Sequence, residues 1–510
     1  MSYSSLQNGS DIRGIAMENE TGAVVDLTPK AAEDLARAFA RWLSAKNDNN
    51  KVRISLGRDS RLTGEVLLKS AANGVISEGF EVADFGIAST PAMFMSTVIS
   101  PDGEKGRTFD GSIMITASHL PYYRNGLKFF TKEGGLEKDD IKELTALADK
   151  IAGEGRTSSD EDIEHISFMD TYASYLKTKI IDGVSKGPRP LEGLKIIVDA
   201  GNGAGGFYAT KVLEPLGADI TGSQFLTPDG RFPNHIPNPE NKEAAASIKE
   251  ATLSAKADLG IIFDTDVDRA GAVLPSGKTL TRNDLIALLS VIALSEHPGT
   301  TIVTDSVTSD GLHDFILAHG GKHKRFKRGY RNVIDESIRL NNEGIDSQLA
   351  IETSGHGAFK ENYFLDDGAY LMVKLLIEMG KGRKLEDMIR DLKEPFESDE
   401  IRFFVYEEKI KGGDLQSNGD RILKMLKEAA DKVEGWSLPE VNYEGVRVNT
   451  DKEHGDGWLL LRKSLHEPVM PLNIESNSKG GNLLMARELR KLLESEDTLD
   501  KAPLDNFLNK

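Results

Sequence analysis

The chain has 510 residues, which predicts several domains, and its 39% hydrophobic content is that of an ordinary globular protein. The absence of cysteine excludes disulfides, thiolate metal sites and a cysteine nucleophile, and it is compatible with a cytoplasmic location, which we expect. A net charge of −18 predicts repulsion of nucleic acid and acidic membranes. The sequence contains no apolar run long enough to span a membrane, and residues 1–11 do not have the pattern of a signal peptide.

One pattern occurs three times along the chain: a short β-branched run, a turn of small or polar residues, and a candidate helix that ends near a glycine. The runs cover residues 52–56, 195–199 and 301–305, and the glycines are Gly79, Gly217 and Gly320. Strand, turn, helix and strand in this order predict a βαβ unit in a mostly parallel sheet. Spacings near one hundred residues indicate repeated domains rather than a solenoid.

The turn after the second run, residues 201–206, contains a formal G-x-G-x-x-G match. A nicotinamide dinucleotide site would also need an acidic residue after the next strand, about twenty residues on. Asp219 precedes that strand and Gln224 lies near its end. The pattern therefore favours a tight turn over a dinucleotide site.

Three aspartates at alternate positions, Asp264, Asp266 and Asp268, follow the apolar run 259–263 and precede Arg269. An apolar run that ends in alternating acids predicts a buried strand followed by a loop. Three converging carboxylates suit Mg²⁺ or Ca²⁺, and an arginine beside the metal is typical of phosphoryl transfer. An EF-hand is excluded because its sixth position holds Arg269 instead of glycine, whereas a solvated acidic turn stays the alternative.

A serine, Ser118, follows the predicted strand 113–116 and comes shortly before Pro121. A serine at a strand end beside a stiff turn can be held in a fixed orientation, and Lys128 brings a cation nearby. The sequence around it lacks the G-x-S-x-G pattern of a hydrolase nucleophile. Judged alone, a serine in this context is more often an ordinary loop serine than a nucleophile.

Two further loops, residues 351–357 and 462–468, combine polar side chains of different kinds. The first matches the donors and acceptors of sugar hydroxyls, and the second can bind a phosphate that is not transferred. A solvated polar loop is the alternative in both cases. Their polar members are Glu352, Thr353, Ser354 and His356 in the first loop and Arg462, Lys463, Ser464 and His466 in the second.

The last quarter of the chain differs from the three repeats. Strands are predicted over residues 401–406, 443–448 and 458–461, and helices over 420–433 and 483–493. This order predicts a small α+β domain, with a candidate boundary in the polar stretch 397–400.

Together these segments resemble the α-D-phosphohexomutase family, in the right order and over nearly the whole chain. The matching segments are the phosphoserine loop at 116–121, the metal loop at 264–269, the sugar loop at 352–356, the phosphate loop at 462–468 and the N-terminal G-x-x-x-I-R-G segment at 9–14. The resemblance implies an α/β fold of three similar mixed domains with mostly parallel sheets and a C-terminal α+β domain around a central cleft. The expected domains are 1–165, 166–297, 298–397 and 398–510.

The resemblance implies a Mg²⁺-dependent mutase that interconverts the 1-phosphates and 6-phosphates of glucose or mannose. Ser118 would carry the phosphoryl group, a hexose 1,6-bisphosphate would be the intermediate, and glucose 1,6-bisphosphate would serve as activator. Small sugar phosphates are the expected partners, without nucleic acid or membrane, and the oligomeric state stays open. The implied metal ligands are Ser118 with its phosphate, Asp264, Asp266 and Asp268. The implied catalytic residues are Ser118, Arg13, Lys128, His356, Arg269 and His119. The implied sugar-phosphate ligands are Glu352, Ser354, Arg331, Arg462, Ser464 and His466.

Two alternatives stay open at this point. Phosphoglucosamine mutase is one, because Glu-x-Ser-Gly-His also suits that branch of the family. A non-catalytic sugar-phosphate-binding regulator is the other, since the phosphate loop has Leu465 where the family usually has glycine or asparagine and His466 where it has threonine. Arg331 stands where many members have lysine, which leaves the preferred sugar undecided.

Overall fold

A computed structural model describes residues 2–48, 50–101, 106–154, 163–464 and 467–509. It divides into two compact units, the first formed by residues 1–281 and 354–387 and the second by residues 282–353 and 388–510. Among the described residues, no helix is long and apolar enough to cross a membrane.

The helices alternate with strands over most of the chain. The α-helices are α1 (Pro29–Lys46), α2 (Gly64–Ser77), α3 (Thr90–Met95), α4 (Lys138–Ile151), α5 (Phe168–Val184), α6 (Lys242–Ala255), α7 (Arg282–Glu296), α8 (Asp310–Ala318), α9 (Tyr330–Asn342), α10 (Gly368–Gly380), α11 (Leu385–Met388), α12 (Leu415–Ala430), α13 (Gly481–Leu492) and α14 (Ala502–Leu508). The strands are β1 (Gln7–Asn8), β2 (Asp11–Ile15), β3 (Arg53–Arg58), β4 (Glu81–Ile87), β5 (Gly111–Ile115), β6 (Arg124–Thr131), β7 (Gly134–Gly135), β8 (Glu164–His165), β9 (Ile196–Asp199), β10 (Leu259–Phe263), β11 (Ala270–Val273), β12 (Thr279–Leu280), β13 (Thr301–Thr304), β14 (Lys322–Arg325), β15 (Leu349–Ile351), β16 (Gly357–Phe359), β17 (Leu365–Asp366), β18 (Glu397–Phe404), β19 (Trp436–Ser437), β20 (Val446–Thr450), β21 (Gly457–Leu461) and β22 (Val469–Ser476).

The first sheet of the first unit has the strand order β1-β2-β6-β5-β3-β4-β8, with β7 beside β6. Strands β5, β3, β4 and β8 are parallel, as the βαβ pattern predicts, and β6 and β2 add antiparallel partners. Helices α1, α2 and α4 contribute to one apolar core with β3 and β5, including Phe39, Ile54 and Leu144. The parallel centre brings the ends of β3 and β5 to the same edge of the sheet.

The second sheet has the order β12-β11-β10-β9, with β9 and β10 parallel and the others antiparallel. Every residue of β10 is buried, as its apolar run predicts. The segment after β9 differs from the expected α-helix, because Tyr208–Leu213 forms a short π-helix. A Cβ atom on Gly203 would lie 2.6 Å from the Thr265 carbonyl oxygen, and one on Gly206 would lie 2.2 Å from that of Leu226. The glycines therefore serve close backbone packing, in agreement with the tight-turn prediction.

The first unit also contains the β16–β17 hairpin and helix α10. Asp367 caps α10 by accepting a hydrogen bond from the Tyr370 N–H at 2.9 Å, and its two carboxylate oxygens lie 2.7 and 2.8 Å from the Tyr172 hydroxyl, whose single O–H they share. These bonds tie α5 to the start of α10 and hold the chain that leads from His356 through the hairpin.

The second unit contains the parallel strands β14, β13 and β15, which complete the third occurrence of the repeat. It also contains an antiparallel sheet of order β18-β22-β21-β20-β19, whose core includes residues of α12, α13 and α14. The predicted helix 420–433 begins earlier, at Leu415, because Asp414 and Ser417 form a capping box. The polar stretch 397–400 is the first half of edge strand β18, where alternate side chains are exposed.

Three α/β domains are followed by an α+β domain, which confirms the predicted fold class. Glycines with positive φ follow the helical segments at Gly79, Gly217 and Gly320, as the repeat predicts. The domain boundaries at residues 165, 297 and 397 stay predictions.

Candidate active site

Ser118 lies in a buried turn after β5. Its φ of 52° is uncommon for a residue other than glycine, and only a well-supported turn holds it. The Ser118 N–H donates to Thr116 Oγ1 at 2.9 Å, and its Oγ donates to Asp264 Oδ2 at 3.1 Å. The Arg269 guanidinium also donates to Ser118 Oγ, at 3.0 Å. The hydroxyl is thus oriented toward the aspartate loop.

Arg61, in the connection between β3 and α2, supports this turn. Its guanidinium is buried and donates to four carbonyl oxygens of the turn, those of Ser118, Leu120, Pro121 and Arg124. Asp59 pairs with Arg61 at 3.3 Å and accepts a hydrogen bond from the Thr116 hydroxyl at 2.7 Å. Burial raises the pKa of Asp59 and lowers that of Arg61, so each depends on the other for its charge. We call Arg61 and Asp59 the turn clamp. The sequence predicted that both residues lie in the turn after β3, but it gave no indication that they contact the turn of Ser118.

Asp264, Asp266 and Asp268 lie in the loop between β10 and β11. All three are buried, and one carboxylate oxygen of each lies within 4.8 Å of the others. Arg269 binds Asp264 through its Nε at 3.1 Å and Nη2 at 3.0 Å. Thr90 donates to Asp266. Among the described residues, Asp266 Oδ1 and Asp268 Oδ1 are buried without a hydrogen-bond partner.

The three carboxylates repel one another inside the protein. Burial and the charge of Asp268 raise the pKa of Asp264 well above its usual range and that of Asp266 to about 6. Burial also opposes the charge of Asp268, but the positive charges of His356, Lys128 and Arg269 hold the pKa of this carboxyl well below its usual range. A hard divalent cation fits this arrangement, because it would bind the donor-free oxygens of Asp266 and Asp268 and offset the repulsion among the three carboxylates.

The remaining charges near Ser118 form a connected group. Lys128 Nζ lies 3.3 Å from Asp11 and 3.6 Å from Asp268, and Arg13 pairs with Asp11 at 3.0 Å. The antiparallel register of β2 and β6 brings these side chains together, since Arg13 pairs with Gly126. Asp11 is therefore a shared partner of both cations that the sequence did not single out.

The two histidines of the site differ in charge. Burial and the positive charges of Arg269 and Arg13 lower the pKa of His119 to about 3, and its Nδ1 accepts a hydrogen bond from Arg269 at 2.6 Å. Burial alone would lower the pKa of His356, but Asp366 at 2.6 Å and Asp268 at 4.0 Å raise it to about 9. His119 is thus neutral and His356 positively charged near pH 7. A cationic His356 does not suit metal ligation, so the three aspartates are the better metal site than the cluster of Asp268, His356 and Asp366.

The proposed sugar-phosphate residues are divided between the units. Ser354 lies half-buried in the first unit, beside His356. In the second unit, Glu352 accepts a hydrogen bond from the Gly329 N–H at 2.6 Å, and Arg331 pairs with Asp335 at 3.3 Å. His466 lies outside the described residues, as does Leu465.

Arg462 and Ser464 lie at the end of β21 in the second unit. Burial and the positive charge of Arg328 lower the pKa of Arg462, and its Nε is buried without a hydrogen-bond partner in the described part of the chain. Ser464 Oγ accepts a hydrogen bond from the Glu467 N–H at 3.3 Å. Arg328, whose charge acts on Arg462, also pairs with Asp305 at 3.6 Å. The sequence placed Arg328 and Arg331 in the same segment but gave no reason to assign a different role to each.

The three α/β domains, the α+β domain and the serine–aspartate–arginine group define an enzyme of the phosphohexomutase class. Models of the phosphoglucomutase/phosphomannomutase α/β/α domains I, II and III match residues 4–154, 170–277 and 281–396. The chain belongs to the phosphoglucomutase/phosphomannomutase family, whose members are isomerases that transfer phosphoryl groups.

Individual relatives agree with the family match. The chain is 30% identical to the phosphomannomutase/phosphoglucomutase of Pseudomonas syringae pv. tomato over 472 residues, 92% of this chain and 90% of the relative. It is 29% identical to the phosphoglucomutase of Neisseria gonorrhoeae over 96% of both chains. The crystal structure of a phosphoglucomutase/phosphomannomutase family protein from Burkholderia thailandensis superimposes with a TM-score of 0.79 at 26% identity, over 97% of this chain and 98% of that one.

Proposed function

We propose that this protein is a Mg²⁺-dependent phosphohexomutase that interconverts the 1-phosphates and 6-phosphates of glucose and mannose through a phosphoserine at Ser118. The observation that carries the proposal is the position of Ser118 Oγ, 3.1 Å from Asp264 and 3.0 Å from Arg269, beside buried carboxylate oxygens without donors. The names of the Pseudomonas and Neisseria relatives support glucose and mannose as the sugars.

Each catalytic cycle contains two phosphoryl transfers. In the first, the bond between phosphorus and Ser118 Oγ breaks while a sugar hydroxyl oxygen bonds to phosphorus and loses its proton, and Ser118 Oγ takes up a proton to become a hydroxyl; the second transfer moves the protons in the opposite direction. The product is a hexose 1,6-bisphosphate. In the second, the other phosphoryl group of this intermediate passes to Ser118 Oγ, so that the enzyme is phosphorylated again and the sugar phosphate is isomerised. Glucose 1,6-bisphosphate would activate an unphosphorylated chain by supplying the first phosphoryl group.

Charge neutralisation is the main requirement of such a transfer. Mg²⁺, held by Asp264, Asp266, Asp268 and the phosphate on Ser118, would neutralise charge on the transferred group. Arg269 donates to Ser118 Oγ, the oxygen on which negative charge develops when its bond to phosphorus breaks. The turn clamp would hold this oxygen in line with the incoming hydroxyl.

Proton transfer at the sugar hydroxyl is assigned to Arg13, Lys128 and His356. With a pKa raised to about 9 by Asp366 and Asp268, His356 is protonated near neutral pH and suits donation of a proton to the sugar oxygen released in the second transfer. The proton lost by the sugar hydroxyl in the first transfer requires an acceptor that is in its neutral form when the sugar binds. Lys128 and Arg13 share Asp11 and contribute positive charge. His119, whose pKa burial and Arg269 lower to about 3, is a weak base and serves best as a neutral hydrogen-bonding group.

The sugar-binding side chains complete the proposal. Glu352 and Ser354 would bind two sugar hydroxyls, and Arg331, Arg462, Ser464 and His466 would bind the phosphate that is not transferred. The buried position and lowered pKa of Arg462, caused by burial and Arg328, support an anionic ligand there, because an anion would restore its charge balance. Since the intermediate reacts from either end, this phosphate site must accept either phosphate.

The test is turnover measured by phosphorus NMR. The purified protein is given Mg²⁺, a trace of glucose 1,6-bisphosphate and, separately, glucose 1-phosphate, mannose 1-phosphate or glucosamine 1-phosphate. Appearance of glucose or mannose 6-phosphate is expected. Conversion of glucosamine 1-phosphate alone would instead indicate a phosphoglucosamine mutase, and binding without conversion of any sugar would indicate a regulator.

A further inference from the structure

A cavity of about 560 Å³ lies in the second unit, apart from the residues assigned to phosphoryl transfer. It is formed where β13 and β14 end, at the start of α8, and by the chain before and along β20. Its polar wall includes Ser306, Asp310, His323, Arg325 and Arg447. Arg331, Glu352, Arg462 and Ser464 are not among the residues that line it.

Positive charge is in excess in this wall. Arg325 and Arg447 both donate to the same oxygen, Asp310 Oδ1, at 2.8 Å each. Arg447 is only 5% exposed and lies over the Trp458 ring, with Cζ 3.8 Å from the ring centroid. Lys324 adds a third cation to the lining, paired with Glu336 outside the cavity. One lining carboxylate therefore serves two guanidinium groups, in a chain whose overall charge is −18.

The titration behaviour of the same groups agrees with the geometry. Burial and the charge of Arg325 lower the pKa of Arg447 to about 9. Burial and the nearby arginines also lower the pKa of His313 and His323. Glu475 provides little compensation, because burial raises its own pKa to about 7. A bound anion would reverse each of these effects on the cationic groups.

Part of the cavity lining is apolar and aromatic, and Lys324 Nζ lies 5.1 Å from the centroid of the Tyr443 ring. Phe326 and Tyr443 contact each other with ring centroids 4.9 Å apart, and Pro439 and Val441 continue the surface. Tyr443 is 39% exposed, so part of its ring is available to a ligand. Aromatic faces beside guanidinium groups suit a planar or ring-shaped molecule that carries a phosphate.

Glu444 separates this cavity from the phosphate loop. Its carboxylate accepts hydrogen bonds from the hydroxyl of Ser306, which lines the cavity, and from the N–H of Arg328, the cation that influences Arg462. Two cationic regions of the second unit are thus divided by one carboxylate.

We propose that this cavity is a second anion site, which binds a small phosphorylated molecule with an apolar ring and is distinct from the site of the transferred and retained phosphates. Arg325 and Arg447 would bind the phosphate, and Phe326 and Tyr443 would contact the ring. The site does not require Mg²⁺ or a phosphorylated Ser118.

The experiment uses phenyl phosphate and inorganic phosphate as probes of the full-length protein without Mg²⁺. Imidazole signals of labelled histidines are followed by NMR during titration. Saturable binding that raises the pKa of His313 and His323 is expected, with phenyl phosphate tighter than phosphate. Arg325→Gln should weaken both probes at least about 10-fold, the loss typical of one charge-assisted pair. Lys322→Gln, an exposed cation on the same strand, is the matched control and should bind as the wild type does.

Two further variants keep the outcome clear. Tyr443→Ala should weaken phenyl phosphate and leave inorganic phosphate unchanged, and Arg462→Ala should leave both probes bound. Thermal unfolding verifies that each variant is folded. Equal binding by the wild type and a folded Arg325→Gln variant, loss of binding in Arg462→Ala, or no histidine response to either probe would overturn the proposal. Turnover is not measured, so the result does not depend on the proposed function.

Discussion

Ser118 has a constrained position beside the aspartate loop. Its positive φ, its buried hydroxyl and the bonds to Asp264 and Arg269 leave it one orientation. Such strain is maintained only where surrounding contacts enforce it, and it is concentrated at functional sites. A buried, oriented hydroxyl is what a phosphoryl acceptor requires.

Replacing Ser118 by alanine is therefore expected to lower turnover by at least about 10³-fold, because alanine has no hydroxyl to carry the phosphoryl group. Conversion of glucose 1-phosphate by phosphorus NMR measures this, and mass spectrometry should find the phosphate of the wild type on Ser118. Ser70→Ala, on the outer surface of α2, is the control and should keep full activity. Full activity in Ser118→Ala would exclude the phosphoserine mechanism.

Asp266 tests the metal assignment. One of its oxygens is buried without a donor in the described structure, so Asp266→Asn removes a charge that a cation needs without removing a hydrogen-bond acceptor. We expect Mg²⁺ affinity to fall by about 10–100-fold or more, measured by calorimetric titration. Chelation by EDTA should abolish turnover in the wild type, and added Mg²⁺ should restore it. Asp139→Asn, an exposed carboxylate on α4, should leave both affinity and turnover unchanged.

His235 gives a pH dependence of stability away from the metal loop. Burial would lower its pKa, but the carboxylate of Asp199 at 3.0 Å raises it above the ordinary value. A histidine whose pKa is higher in the folded state than in the unfolded state stabilises the fold when it is protonated. The full contribution is present at pH values below the unfolded-state pKa, near ~6.5, and it is lost as the pH rises through the folded-state pKa. The midpoint difference in thermal unfolding between wild type and His235→Asn should thus be larger at pH 5.5 than at pH 9. A midpoint difference at pH 9 that equals or exceeds the difference at pH 5.5 would contradict a stabilising ion pair between His235 and Asp199.

At the scale of elements, the end of β3 organises the end of β5. The turn clamp joins them because parallel strands place their carboxyl ends at one edge of the sheet. Arg61 reaches four carbonyl oxygens that a shorter or less branched cation could not bind at once. We regard it as a positioning residue for Ser118.

Arg61→Lys is expected to lower kcat about 10–100-fold with little change in KM, since a small displacement of Ser118 affects transfer more than sugar binding. Amide hydrogen exchange in residues 116–124 should become faster in the same variant, which reports the loosened turn directly. Arg107→Lys, an exposed arginine, should change neither measurement. Unaltered exchange in Arg61→Lys would show that the clamp does not hold the turn.

For the whole molecule, net charge decides which anions can approach. With 81 acidic and 63 basic residues, the surface repels polyanions, whereas small phosphates can enter local groups of arginine and lysine. We expect no binding of a fluorescent DNA duplex at 150 mM salt by anisotropy, under conditions in which glucose 1-phosphate binds. Measurable affinity for the duplex that falls steeply with salt would reveal a basic surface that this charge balance does not predict.

The sequence was sufficient for the strand, turn and helix order of the first and third repeats, for the α+β character of the last domain and for the loops that carry Ser118 and the aspartates. These features depend on local hydrophobic periodicity and turn residues, which a linear pattern contains. It missed the exact starts of α12 and β18 and the π-helix at Tyr208–Leu213, because capping bonds and packing decide element ends. In the second repeat, the strand expected after Gly217 is present only as isolated bridges at Asp219 and Gln224.

Only the tertiary structure brings Ser118 to Asp264, which is 146 positions away in the chain, and Arg61 to the turn of Ser118. It also decides that His119 is neutral and His356 charged, since burial and neighbouring charges from distant segments set each pKa. The physical reason is the same in each case: distances between groups far apart in sequence arise from sheet register and packing, and electrostatic interactions depend on those distances and on burial.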